Sequence, residues 1–111
     1  TKPSITLCNE GSYSNAEIFS HAYKTLGIGK LVGVPTNGSV ISTGGKGLLD
    51  GSFVRLPGRG WYTKATDKNQ ELGPAVPDII VENQIDWISK GTDDQLKVAV
   101  EELLKEINNK K

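Results

Sequence analysis

The sequence predicts an α/β fold that opens with a parallel strand–helix–strand unit. Three observations support this: β-forming residues occupy 4–8, an amphipathic helical pattern covers 14–26, and a second apolar run lies at 31–34. Two parallel strands need a long crossover, which is usually a helix and right-handed. The 111 residues correspond to one small domain, so residues 1–111 are treated as a single unit.

The first helix is predicted from its apolar spacing. It starts after a turn at residues 9–11 and stops at Gly27, and its apolar residues fall at i, i+3, i+4 and i+7: Phe19, Ala22, Tyr23 and Leu26. This spacing predicts one core-facing stripe. Further along, four glycines within residues 35–47 predict a loop or an irregular edge.

The rest of the chain predicts short strands and a terminal helix. Residues 52–56 and the stretch around 62–63 indicate a hairpin or meander, and 79–81 a last strand. Thr92 and Gln95 fit a capping box that opens the final helix. That helix is expected to bury a seam of four apolar residues: Leu96, Val100, Leu103 and Ile107.

Composition excludes several classes of function. Thirteen basic and thirteen acidic residues balance and form no basic stripe, so nucleic acid is not an expected partner. No run approaches the ~18 apolar residues that span a membrane. With one histidine and one cysteine the chain offers no ligand cluster, so neither a metal nor another cofactor is expected. Cys8, inside an apolar run, is expected to be a buried small hydrophobe.

Ser14 lies at the junction between the first strand and the first helix. A helix start offers unpaired backbone N–H groups and partial positive charge, which could stabilise an oxyanion. The same serine fits a capping box with Glu17. His21 is seven residues further along the helix, roughly 10 Å away, too far to be its base. Lys46 is a second candidate base, with a solvated loop lysine as its simpler interpretation.

Five stretches in order resemble the carboxyl-terminal half of the tail-specific processing peptidases and tricorn core proteases. They read NEGSYSNAEIF at 9–19, LGIGKLVG at 26–33, PTNG at 35–38, LDG at 49–51, and the segment 71–79 that ends in VPDI. The resemblance runs over nearly the whole chain. It implies a serine peptidase with a crotonase/Clp-protease-like spiral of short strands and helices.

The resemblance assigns roles by position. It places the nucleophile at Ser14 and an oxyanion-hole N–H at Asn15. The processing branch has its lysine base where this chain has Ser39, whereas the tricorn branch takes a histidine from an upstream segment. Glu71, six residues before Pro77, matches the carboxylate of the tricorn branch, which is therefore favoured.

These roles imply an incomplete site. The chain has no methionine at position 1 or elsewhere, and we expect it to be the carboxyl-terminal part of a domain whose base lies outside it. Alone it should have little or no activity, because a serine triad without its base loses most of its rate enhancement. The remainder of the peptidase domain is thus an expected partner, and a homo-oligomer is compatible with the resemblance.

The expected substrate is a peptide or an unfolded protein tail. Family members often bind extended peptides along an edge strand, and residues 36–45 are expected beside that peptide, with Gly38, Ser39 and Val40 as its contacts. Two alternatives stay open. One is an inactive peptide-binding or scaffolding module of the same fold. The other is acyl-group chemistry of the wider crotonase superfamily, for which no coenzyme-binding feature is seen.

Overall fold

The computed structural model describes residues 2–109, so the predicted unit 1–111 extends one residue before and two residues after that part. Ten elements follow in chain order: β1 (Ile5–Cys8), α1 (Asn15–Thr25), β2 (Lys30–Gly33), β3 (Ser42–Gly47), β4 (Phe53–Arg59), β5 (Tyr62–Thr63), β6 (Lys68–Asn69), β7 (Ile79–Ile80), α2 (Trp87–Lys90) and α3 (Asp94–Asn108). Helices and strands are mixed, which confirms the α/β class.

A three-stranded parallel sheet in the order β1-β2-β7 organises the fold. Ile5 pairs with Lys30 at the start of β1, and Val32 in β2 pairs with Ile79 in β7. The predicted strand–helix–strand unit is therefore confirmed. Because the strands are parallel, their carboxyl ends meet at one edge, and the loops after β1 and β2 both leave from it.

The core is small and lies on the sheet. Leu31 and Val32 have no exposed surface, and Cys8, Leu31 and Ala75 form one buried cluster. The core-facing stripe predicted for the first helix is wrong at three of its four positions: Tyr23 is buried, with its hydroxyl 2.8 Å from Oγ of Ser4, whereas Phe19, Ala22 and Leu26 are exposed. Because this apolar core is small, hydrogen bonds between chain segments are expected to contribute much of the free energy of folding.

The Cys8 thiol should be inert in the folded protein. Burial raises its pKa to about 11, despite the opposing effect of Lys24, and its Sγ donates to the Val34 carbonyl at 3.3 Å. Because the thiolate is the reactive form, we expect iodoacetamide to label Cys8 at pH 8 only after denaturation. Mass spectrometry with and without denaturant measures this, and native labelling at the rate of a free cysteine would contradict it.

The glycine-rich stretch contains a strand that the sequence analysis missed. Residues 35–47 were expected to be a loop, yet β3 pairs antiparallel with β4, and Gly45 faces Arg55. A side chain at residue 45 would collide with the Phe53 ring, so glycine there lets the aromatic ring cover the neighbouring strand. The predicted hairpin or meander of 52–56 and 62–63 is wrong, because β4 pairs with β3 and β5 with β6 in two separate sheets.

The carboxyl-terminal helices differ from prediction in two respects. Asp93, not Thr92, caps α3, since its side chain accepts from the Leu96 N–H. The helix buries Ala99, whereas three members of the predicted seam are exposed by 39 to 50%: Leu96, Val100 and Ile107. Helix α3 packs against β1 and β2, and the face that it buries there is the one that carries Ala99, next to the predicted seam. Within residues 2–109 no helix is long and apolar enough to cross a membrane.

Candidate active site

Ser14 adopts a backbone conformation that is rare for a residue with a side chain. Its φ is 56° and its ψ −121°, the values of the first central residue of a type II′ turn, where glycine is usual. The Ala16 N–H donates to the Tyr13 carbonyl at 3.2 Å and closes this turn. Such a conformation costs about 1–3 kcal/mol and persists only where surrounding contacts hold it.

The capping-box interpretation of Ser14 is wrong. Its side chain makes no capping hydrogen bond, and Glu17 is fully buried instead of reaching back to the start of α1. The backbone N–H of Asn15, the first residue of the helix, has no acceptor within the described part of the chain. A half-exposed hydroxyl and a free N–H therefore adjoin at the helix start.

Glu17 holds the segment that follows β2. Its carboxylate accepts from the Thr36 hydroxyl at 2.6 Å, from the Gly38 N–H at 2.5 Å and from the Ser39 N–H at 2.7 Å. The Thr36 hydroxyl in turn accepts from the Ala75 N–H at 2.8 Å. This role cannot be predicted from the sequence, because the serine–glutamate spacing does not reveal which way the carboxylate points.

The Glu71 carboxylate binds the backbone N–H groups of the next two residues in the same way. Its Oε2 accepts from the N–H groups of Val40 and Ile41, at 2.7 and 2.6 Å. Four consecutive N–H groups, those of residues 38–41, thus donate to two carboxylates, and we call these residues the clamped segment. The Ser14 N–H donates to the Ser39 carbonyl at 2.9 Å, so the clamped segment also fixes the backbone of Ser14.

The stretch after Glu71 is fastened to α1. His21 donates through Nε2 to the Gly73 carbonyl at 2.9 Å, and the Lys24 ammonium binds both the Val76 carbonyl and the Asp78 carboxylate. Burial raises the pKa of Asp78, but the Leu31 N–H and the Lys24 ammonium outweigh it, so that pKa lies below its usual value. Helix α1 therefore begins directly after Ser14, and two of its residues, His21 and Lys24, bind the stretch that follows Glu71.

The structure brings most of the predicted site residues together, although not all in their expected contacts. Ser14 and Asn15 adjoin the clamped segment, but Glu71 and Ser14 share no hydrogen bond within residues 2–109. The N–H groups of Gly38, Ser39 and Val40 are already engaged. A peptide lying beside them would have to contact carbonyls or side chains rather than those N–H groups.

A cavity of about 380 Å³ opens beyond the carboxyl ends of the three parallel strands. Asn9, Val34 and Glu82, which follow β1, β2 and β7, line it together with Trp87. Crevices at this edge are the usual ligand sites of open α/β sheets. In the described part of the chain no three His, Cys, Asp or Glu side chains cluster as metal ligands.

Comparisons with known proteins show which family and which structures this chain resembles. A sequence model described as Peptidase family S41 matches residues 1–81. The tricorn protease of Thermoplasma acidophilum is 31% identical over 106 residues, which are 95% of this chain and 10% of that protein. The tricorn protease of Thermoplasma volcanium is 29% identical over 110 residues, 98% of this chain and 11% of that protein. A crystal structure of the tricorn protease superposes with a TM-score of 0.87 at 30% identity, over 96% of this chain and 10% of that chain.

Proposed function

Because this chain belongs to peptidase family S41, we propose that it supplies the nucleophile of a serine endopeptidase that acts on peptides or unfolded protein tails. The conformation of Ser14 is the observation that carries the proposal. A non-glycine residue at φ 56°, whose hydroxyl makes no capping bond, is strained for a reason other than helix stability. Other hydrolases expose their serine on a comparably strained strand-to-helix turn.

In this proposal the neighbours of Ser14 have defined tasks. The free N–H of Asn15 donates one hydrogen bond to the oxyanion that forms when the Ser14 Oγ attacks a peptide carbonyl. Glu71 is the orienting carboxylate, which acts through the clamped segment that holds the Ser14 backbone. A base and a second oxyanion donor come from the remainder of the domain.

The proposal treats the chain as a partial domain. It spans about a tenth of the length of the curated relatives that it matches. We propose that the missing part completes a crotonase-like spiral and that the chain alone is inactive or nearly so. The engagement of His21 with the Gly73 carbonyl supports this, because it leaves the only histidine of the chain away from Ser14.

A fluorophosphonate probe tests the proposed nucleophile in the complete protein. We expect one adduct, located on Ser14 by peptide mapping, and no adduct in the Ser14→Ala variant. Ser12→Ala is the matched control, because Ser12 lies two residues away and its hydroxyl accepts only from the Asn9 N–H at 3.2 Å within residues 2–109. An adduct on another residue, or none in folded protein, would refute the assignment.

The engagement of His21 and the serine at position 39 also favour a second candidate, a peptide-binding or scaffolding module of the same fold. Such a protein would bind peptides with Ser14 present or replaced. Unchanged cellular function of a Ser14→Ala protein would support this candidate, and loss of function in that variant would support the peptidase.

A further inference from the structure

We propose that a cavity between α1 and the β5–β6 hairpin is a subsite for a large apolar side chain of the peptide substrate. This inference rests on the peptidase function proposed above. The cavity has a volume of about 250 Å³, smaller than the ~300–1,000 Å³ typical of sites for whole small molecules. Its size therefore suits one side chain of a longer ligand better than a cofactor.

The lining of the cavity is mostly apolar. Ile18 and Ala22 line it from α1, Leu26 from the residue that caps the end of α1, and Trp61 and Tyr62 from the opposite side. Leu26 is 71% exposed and Tyr62 58% exposed, so large apolar surfaces face solvent around the opening. Burying a Leu or Phe side chain here would remove apolar surface of both partners from water and thereby strengthen binding of the peptide.

One polar group of the cavity has no partner. The Gln70 side chain donates to the Thr63 hydroxyl at 3.2 Å, but its Oε1 is buried and accepts no hydrogen bond within residues 2–109. Rotation of the Gln70 amide toward the cavity would offer this acceptor, which the protein itself leaves unpaired, to a ligand that donates a hydrogen bond. A peptide carries such a donor beside every side chain, its backbone N–H, so an apolar residue and its own amide would fill the site together.

The cavity adjoins both halves of the proposed active site. Its α1 wall begins at Ile18, whose N–H donates to the Ser14 carbonyl at 3.0 Å, and its other wall includes Gln70, the neighbour of Glu71. Ile18 and Ala22 lie roughly 6 and 12 Å along the helix from Ser14. At ~3.3 Å per residue of extended peptide, this places the subsite about two to four residues from the scissile bond.

Filling the cavity tests the proposal in the complete protein. Ala22 is exposed on α1, so Ala22→Phe should fold while its ring occupies the cavity, and Thr25→Trp enters the same cavity from the next turn. The matched control, Ala65→Phe, lies in an exposed turn outside the lining. Cleavage of a capped peptide library, varied at each position among Gly, Ala, Leu and Phe, gives the selectivity profile.

We expect Ala22→Phe to lower kcat/KM by about 10-fold or more for peptides with Leu or Phe at one position, and by less than about 2-fold for those with Ala there. Ala65→Phe should leave the profile unchanged. Equal effects on all peptides, or an unchanged profile in a folded Ala22→Phe or Thr25→Trp protein, would overturn the subsite.

The experiments distinguish failure of the proposed peptidase function from failure of the proposed subsite. If fluorophosphonate labels Ser14 but the filled variants keep the wild-type selectivity, the peptidase stands and the subsite falls. If Ser14 is not labelled, the subsite is tested by binding of the Leu- and Phe-containing peptides to the Ser14→Ala protein, followed through the fluorescence of Trp61 in the lining. Binding that Ala22→Phe abolishes supports the subsite, and binding that it leaves unchanged overturns it.

Discussion

The Ser14→Ala variant of the complete protein is expected to lose at least about 1,000-fold in kcat/KM on an unfolded protein substrate. In the proposed mechanism, removing the Oγ removes the attacking atom, while the Asn15 N–H proposed as oxyanion donor stays in place, so the residual rate is that of binding and electrostatic stabilisation alone. Steady-state kinetics on the assembled enzyme measure the loss. Activity within a few-fold of wild type would mean that another residue is the nucleophile.

A companion variant, Ser14→Gly, separates the hydroxyl from the strained backbone. It should be as inactive as Ser14→Ala but more stable than it by about 1 kcal/mol. The reason is that glycine adopts φ 56° and ψ −121° without the ~1–3 kcal/mol of strain, against an entropy cost of about 0.5–1 kcal/mol. Denaturant unfolding of the two variants gives the difference. Equal midpoints would show that the strain at Ser14 does not exceed the entropy cost of glycine.

Local signals predicted the first strand–helix–strand unit, but not which face of its helix is buried, because that face carries Glu17 and Ser20 beside Tyr23. The strand–helix–strand unit could be predicted because each element shows its own periodicity and the crossover rule then fixes the pairing. β3 could not, since its glycines carry no alternating pattern and its partner strand is fixed by contacts such as Phe53 over Gly45. In α3 the apolar seam was predicted from spacing, but packing against the sheet buried the face that carries Ala99.

In the candidate site, too, some features are visible in the sequence and others are set only by the fold. The position of Ser14 at a strand-to-helix junction is visible in the sequence, whereas its positive φ is not. Glu17 was expected to cap the helix because a serine and a glutamate three residues apart fit that motif. Only the fold reveals that three donors converge behind α1 and make the buried position of that carboxylate favourable.

Glu17→Ala is expected to destabilise the protein by about 4 kcal/mol, a large share of the ~5–15 kcal/mol that folded domains have. The substitution leaves the Thr36 hydroxyl and the Gly38 N–H without an acceptor in a buried place, and the Ser39 N–H without one in a partly buried place, at about 1–3 kcal/mol each before water enters. Glu10→Ala, at an exposed glutamate seven residues earlier in the chain, is the matched control and should change stability by less than about 0.5 kcal/mol.

Hydrogen exchange gives this prediction a local readout. In Glu17→Ala the amides of Gly38 and Ser39 should exchange faster, whereas those of Val40 and Ile41, held by Glu71, should change less. Uniform acceleration across 38–41 would instead mean that the clamped segment is released as one unit.

Because the Ser39 carbonyl holds the Ser14 N–H, loosening residue 39 should also relax the turn at Ser14. Glu17→Ala protein that remains folded should therefore label more slowly with fluorophosphonate than Glu10→Ala. Equal labelling rates would mean that the contacts of Glu17 with the clamped segment do not affect the reactivity of Ser14.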